Sequence, residues 1–153
     1  MARLIASRTA QYPLSAEFVF NFNDTALDAV TGVAKTFGSV YTDAIIFDAI
    51  PLPVGAVVVG GELLVETAGV GPTAYTAKLG IAGDDACYLA ASDLLAAANT
   101  RYVLLLTKQL ASNAAGANVR LTIASTVANA SAGKVRLRLQ YTVDRRSSEI
   151  QIA

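Results

Sequence analysis

Few residues in this chain of 153 carry chemistry, and their spacing decides what they can do. Glu62 and Glu66 lie four apart in a run of strand-forming residues. On a strand they share a face about 13 Å apart, farther than a retaining glycosidase pair. A solvated strand face is the simpler reading, since charges sit outside. Gly83-Asp84-Asp85 puts two carboxylates in a turn. That is oxygen chemistry for a hard cation such as Ca²⁺, without the ligand spacing of a calcium loop. Cys87, the one cysteine, forms no internal disulfide or cysteine cluster and reads as a buried, inert thiol. Histidine is absent. Its absence removes the usual general base at neutral pH, the Ser-His-Asp and Cys-His arrangements and the commonest zinc ligand. Gly60-Gly61 and Gly69-Val70-Gly71-Pro72 are not phosphate loops, because no Gly-Lys-Ser/Thr follows. The residues define no catalytic, cofactor or metal site, and the chain is expected not to be an enzyme.

Charge is more informative. Twelve basic and twelve acidic side chains balance to zero, which argues against a nucleic-acid partner. The balance is uneven along the chain. Residues 1–76 hold three basic and seven acidic side chains, net −4; residues 77–153 hold nine and five, net +4. Lys134, Arg136, Arg138, Arg145 and Arg146 gather towards the C-terminus, with Arg136 and Arg138 about 7 Å apart on one strand face. They form either a solvated face guarded against aggregation or a patch for an acidic partner surface. Arg3, Arg8 and Tyr12 mark a second candidate contact, an N-terminal arm over residues 1–14 without a hydrophobic period. Apolar residues make up 54% and charged residues 16%, against about 25% charged in an ordinary domain. So few charges leave apolar surface to be covered by further copies or a larger body. Ser7 and Arg8 interrupt the first apolar stretch, so no signal peptide is expected. The window Ile50 to Gly60 falls short of a membrane span of about 20 residues. A soluble protein made in the cytoplasm, without a membrane partner, is the expectation.

The elements that must position these residues read as strands. Phe18, Phe20 and Phe22 alternate with Glu17, Val19 and Asn21. Val40 to Phe47 reads as a strand stopped by Asp48 and Pro51-Leu52-Pro53. Ala56 to Thr67 is the strongest run, with Gly60-Gly61 as a bulge or bend. Tyr75 to Ile81 alternates loosely, and Cys87 to Ala98 breaks the β habit, with Ser92-Asp93 set to cap a short helix over Leu94–Ala98. Tyr102 to Thr107 and Val119 to Ile123 follow as strands. Val135, Leu137, Leu139, Tyr141 and Val143 alternate most cleanly with Arg136, Arg138, Gln140 and Thr142. The pattern predicts one all-β domain over residues 15–153: a jelly-roll-like or Greek-key β-sandwich of about eight strands with one short helix.

Three segments also resemble small virion proteins of tailed bacteriophages. They are Ile50-Pro51-Leu52-Pro53-Val54-Gly55-Ala56-Val57-Val58-Val59-Gly60-Gly61-Glu62-Leu63, Cys87-Tyr88-Leu89-Ala90-Ala91-Ser92-Asp93-Leu94 and Arg138-Leu139-Gln140-Tyr141-Thr142-Val143-Asp144-Arg145-Arg146. The group looks like capsid decoration, or cement, proteins. The resemblance implies a β-sandwich on the capsid surface of the virion, bridging neighbouring subunits and stiffening the shell. It implies the major capsid protein and further copies of the chain, as dimer or trimer, as partners. It carries over no catalytic or ligand residues and no cofactor. A tail or head–tail connector component is the nearest alternative. A carbohydrate-binding jelly roll is the third reading; with Trp absent, Tyr12, Tyr41 and Tyr75 would have to supply its platforms.

Overall fold

The computed structural model describes residues 12–106 and 118–143. Among them the chain is all β, with ten strands and no helix. The strands are β1 (Leu14–Asn21), β2 (Thr25–Leu27), β3 (Ala34–Thr36), β4 (Ile45–Pro51), β5 (Ala56–Val70), β6 (Ala74–Ile81), β7 (Asp84–Asp93), β8 (Arg101–Val103), β9 (Asn118–Thr126) and β10 (Ala132–Val143). They form two four-stranded antiparallel sheets, β1-β10-β5-β8 and β4-β9-β6-β7, and a separate β2-β3 hairpin.

Alternation explains the layering. In β10, Val135, Leu137 and Leu139 are buried, while Arg136 and Arg138 point the other way. In β1, Phe18 and Phe20 face the core, and Glu17 and Val19 face outward. A single core takes Leu63, Val65, Leu137 and Leu139 from the first sheet and Tyr75, Leu79, Leu121 and Ile123 from the second. At its centre Phe37 lies between Phe20 of β1 (ring centroids 4.6 Å) and Phe47 of β4 (4.2 Å). The Tyr75 hydroxyl donates to the Phe37 carbonyl at 3.2 Å, and burial pushes that phenol's pKa up.

Several expectations need correction. The short helix at Leu94–Ala98 does not form. The Leu94 amide donates to the Tyr75 carbonyl, and the Leu94 carbonyl accepts from the Gly69 amide, each at 2.8 Å. Both groups are therefore spent on neighbouring elements, and a single turn is too short to nucleate against them. Asp93 does cap a turn, accepting from the Leu95 amide at 2.9 Å. Cys87 does not leave the β habit, since it sits within β7. Asp48 does not end its strand: β4 starts later than expected, at Ile45, and continues to Pro51. The Asp48 carboxylate points outward to Arg120 at 2.9 Å. β8 stops at Val103, short of the expected run.

The paired glycines do mark a bulge. The register moves from Gln140↔Gly60 to Tyr141↔Val58. Gly61 has φ 151°, and a Cβ there would lie 2.4 Å from the Arg138 carbonyl oxygen. No other residue fits that approach.

Antiparallel order gives the body two ends. At one, Leu14 pairs with Tyr141, Ala56 with Val143 and Pro51 with Asn118. At the other, Asn21 pairs with Lys134, Val70 with Ala132 and Ala74 with Thr126. The β2-β3 hairpin follows Asn21, and its tip lies against β4, where Asp28 bridges Phe47.

Candidate functional site

The outward face of the first sheet collects the basic residues of β10. Register sets Glu17, Arg138 and Glu62 in one row, and Val19, Arg136, Leu64 and Arg101 in the next. Arg138 Nε donates to Glu17 at 3.1 Å, and its Nη1 lies 3.7 Å from Glu62. Arg136 binds both Glu17 and Glu66. Lys134 reaches Glu66 at 2.9 Å, and Arg101 donates to both oxygens of Glu62 at 2.7 Å. Four cations thus share three carboxylates. Hydrogen bonds from Arg136 and then Lys134 hold the Glu66 carboxyl below its ordinary range, and the bond to Glu66 pushes Arg136 up. Leu64, 7% exposed yet outside the main core, lies between Arg136 and Arg101. Long cationic stems cover apolar surface in this way.

This face is a ladder of cross-strand ion pairs more than an open basic patch. Shallow depressions of about 340 and 370 Å³ flank Arg138. They offer its guanidinium, carboxylates already bound to it, and the Gln140 amide. Salt screens pairs exposed to this degree. The melting temperature should therefore fall as salt rises towards about 1 M, and Arg136→Gln should lose most of that slope. Melts of both proteins at low and high salt check this; an unchanged slope would deny the ladder a stabilising role.

The hairpin end differs in kind. Asp28 is 3% exposed. Its Oδ2 accepts from the Thr31 hydroxyl at 2.6 Å and lies 3.1 Å from Lys35 Nζ; its Oδ1 accepts from the Ile46 amide at 3.2 Å. Burial pushes this carboxyl up, but the bonds from Thr31, Ile46 and Lys35 outweigh it and bring the pKa down to about 2. The Ala29 amide adds a bond to the Ile46 carbonyl at 2.7 Å. Lys35 lies 5.2 Å over the Tyr41 ring, and Tyr41 Oη accepts from the Thr36 amide. The latched hairpin presents Leu27, Val30 and Val33 at 65%, 71% and 59% exposure. Val40, bonded through its amide to Asn129, and Val70, whose carbonyl accepts from Ser131, are exposed as well. Val127 is 82% exposed at φ 72°. Covering each of these six side chains is worth about 1 kcal/mol.

The other sequence candidates fall as follows. Tyr12 is exposed, and Lys134, Arg136 and Arg138 meet on the ladder. Arg3, Arg8, Arg145 and Arg146 lie outside the described residues. Glu62 and Glu66 do share a face, each bound by cations. Asp85 binds Lys78 at 3.0 Å. Among the described residues no group of three His, Cys, Asp or Glu side chains is placed to hold a metal ion. Tyr75 is buried and offers no platform to a sugar. The sequence reading passed over Asp28 and the exposed aliphatic end. The signal for Asp28 was there, an Asp followed by Thr31-Gly32 in a turn pattern.

No family model matches the sequence, and no curated protein matches it. Solved structures do match its fold. One chain of the cyanophage Pam1 capsid asymmetric unit aligns with a TM-score of 0.61 at 21% identity, covering 93% of this chain and 94% of that one. A chain of the Ralstonia phage GP4 capsid aligns with a TM-score of 0.58 at 16% identity, covering 94% and 91%. The structural neighbours are thus phage capsid assemblies, and at these identities the likeness establishes a shared all-β fold.

Proposed function

We propose that this chain is a structural virion protein that decorates the outside of a phage capsid and bridges neighbouring shell subunits. The observation that carries the reading is the likeness of nearly the whole chain to chains of two phage capsid assemblies. The strand order supports a jelly-roll sandwich as its frame. Without the β2-β3 hairpin, the eight remaining strands pair first with eighth, second with seventh, third with sixth and fourth with fifth. That is a long double strip wrapped into two sheets.

Such a protein needs no reactive centre, and we read it as non-enzymatic. It needs a rigid body and surfaces for its partners, here the major capsid protein and further copies of itself. Binding across a subunit boundary stabilises only the assembled shell, and many copies on a lattice add avidity to weak contacts. Purified protein mixed with heads that lack it should sediment with them and raise the temperature at which they break. Protein that stays in the supernatant, or binds at a tail vertex without protecting the shell, would overturn the reading.

A further inference from the structure

We propose that the free edge of β1 is where an extended segment of a shell subunit adds a strand to this protein. The proposal rests on the virion reading for the identity of that subunit, and on geometry for the site.

The two sheets have four edge strands, β1, β8, β4 and β7. An open edge invites pairing with another chain, and folds usually blunt it. β8 is three residues long. The hairpin covers β4, where the Ala29 amide donates to the Ile46 carbonyl and the Ile46 amide donates to Asp28. β7 is broken by two register shifts, and its Tyr88 carbonyl accepts from the Leu105 amide. β1 has none of these guards. Its eight residues pair with β10 in unbroken register and include no Lys, Arg or Pro. Its one charge, Glu17, is drawn back over β10 by Arg136 and Arg138.

The free groups can be named. In an antiparallel ladder, successive residues turn their amides and carbonyls to opposite sides of the strand. Phe22 donates its amide to Gly133 on the β10 side. Asn21 turns the other way: its amide donates to the Asp24 carboxylate, and its carbonyl accepts from the Asp24 amide. Ser15, Glu17 and Val19 share the direction of Asn21, and their amides and carbonyls have no bonding partner among the described residues. The core beneath is also unfinished here. Ala16 and Phe18 are half-buried, whereas Leu139 and Leu137 opposite them in β10 are fully sealed. A further strand completes both the ladder and that cover.

Charge selects the occupant. The antiparallel register of two β1 strands that uses all three free residues sets Ser15 against Val19 and Glu17 against its own copy. Like charges directly opposite each other disfavour it. The edge instead fits an extended segment of another protein, with a basic or uncharged residue opposite Glu17 and apolar residues beside Ala16 and Phe18. In the virion the shell subunit supplies that segment. Main-chain bonds give such a contact its strength, and side chains at alternate positions give it its choice of partner.

Hydrogen exchange of the full chain, free and bound to heads that lack it, tests this. In the free chain the amides of Ser15, Glu17 and Val19 should exchange fast, between slow ones at Ala16, Phe18 and Phe20. On heads the fast amides should slow at least about tenfold. Val19→Pro removes one free amide and no ladder bond, a change that an edge strand tolerates. It should leave the melting temperature within about 3 °C and weaken head binding about tenfold. Ser15→Pro should give the same two results, and decides the matter if Val19→Pro fails to fold. Head binding with these amides still fast, or undiminished by either proline, overturns the proposal and leaves the virion reading standing. Protection that grows with protein concentration in the absence of heads gives the edge to a second copy and overturns the proposal too. A chain that ignores the heads, with the edge still fast, overturns the virion reading and this proposal with it.

Discussion

Phe37→Ala is expected to remove about 3–5 kcal/mol of stability, the range for emptying a large aromatic site in a packed core. Phe37 is 2% exposed and lies between Phe20 on one sheet and Phe47 on the other, with Phe18 also 6.1 Å away. Removing the ring leaves a void that neither sheet can close alone, because each is held by its own ladder. Domains of this size have only about 5–15 kcal/mol in total, so the variant should sit close to unfolding at body temperature. Urea unfolding measures it: the midpoint should drop with little change in slope. A loss below about 1 kcal/mol would mean that Phe37 is not the wedge between the sheets.

Asp28→Asn is expected to cost about 2–3 kcal/mol near neutral pH, from loss of charge-assisted bonds at a buried site. The loss should be local. Hydrogen exchange should quicken at the amides of Ala29 and Gly32, which close the hairpin onto Ile46 and Asp28. The same carboxylate gives a pH signature. Its folded pKa of about 2 lies below the ordinary 3.8, so the folded state favours the charged form. The resulting stability is present above pH 3.8 and is lost as pH falls towards about 2. Wild-type stability should therefore drop more steeply than that of Asp28→Asn across this window. Parallel curves in acid would show that Asp28 is not the latch.

Much of the fold was legible because alternation is a local property. The faces of β1 and β10 follow from Phe18/Phe20 against Glu17/Val19 and from Val135/Leu137/Leu139 against Arg136/Arg138. What failed depended on distant partners. Leu94 has helix-forming neighbours, but its amide and carbonyl belong to Tyr75 and Gly69. Asp48 looks like a strand stop until Arg120 is found opposite it in the register. The basic residues of β10 looked free because Glu17 lies over a hundred positions away in sequence and becomes their neighbour only once β1 pairs with β10. The aliphatic end was hidden for a similar reason. Leu27, Val33, Val70 and Val127 are ordinary core residues by type, and only the folded chain leaves them outside.

An electron-microscopy map of the intact phage particle tests the central claim most directly. The account predicts density for this two-sheet body on the outer surface of the head, seated across boundaries between shell subunits. Density for the chain at the tail axis, inside the shell, or nowhere in the particle would contradict it.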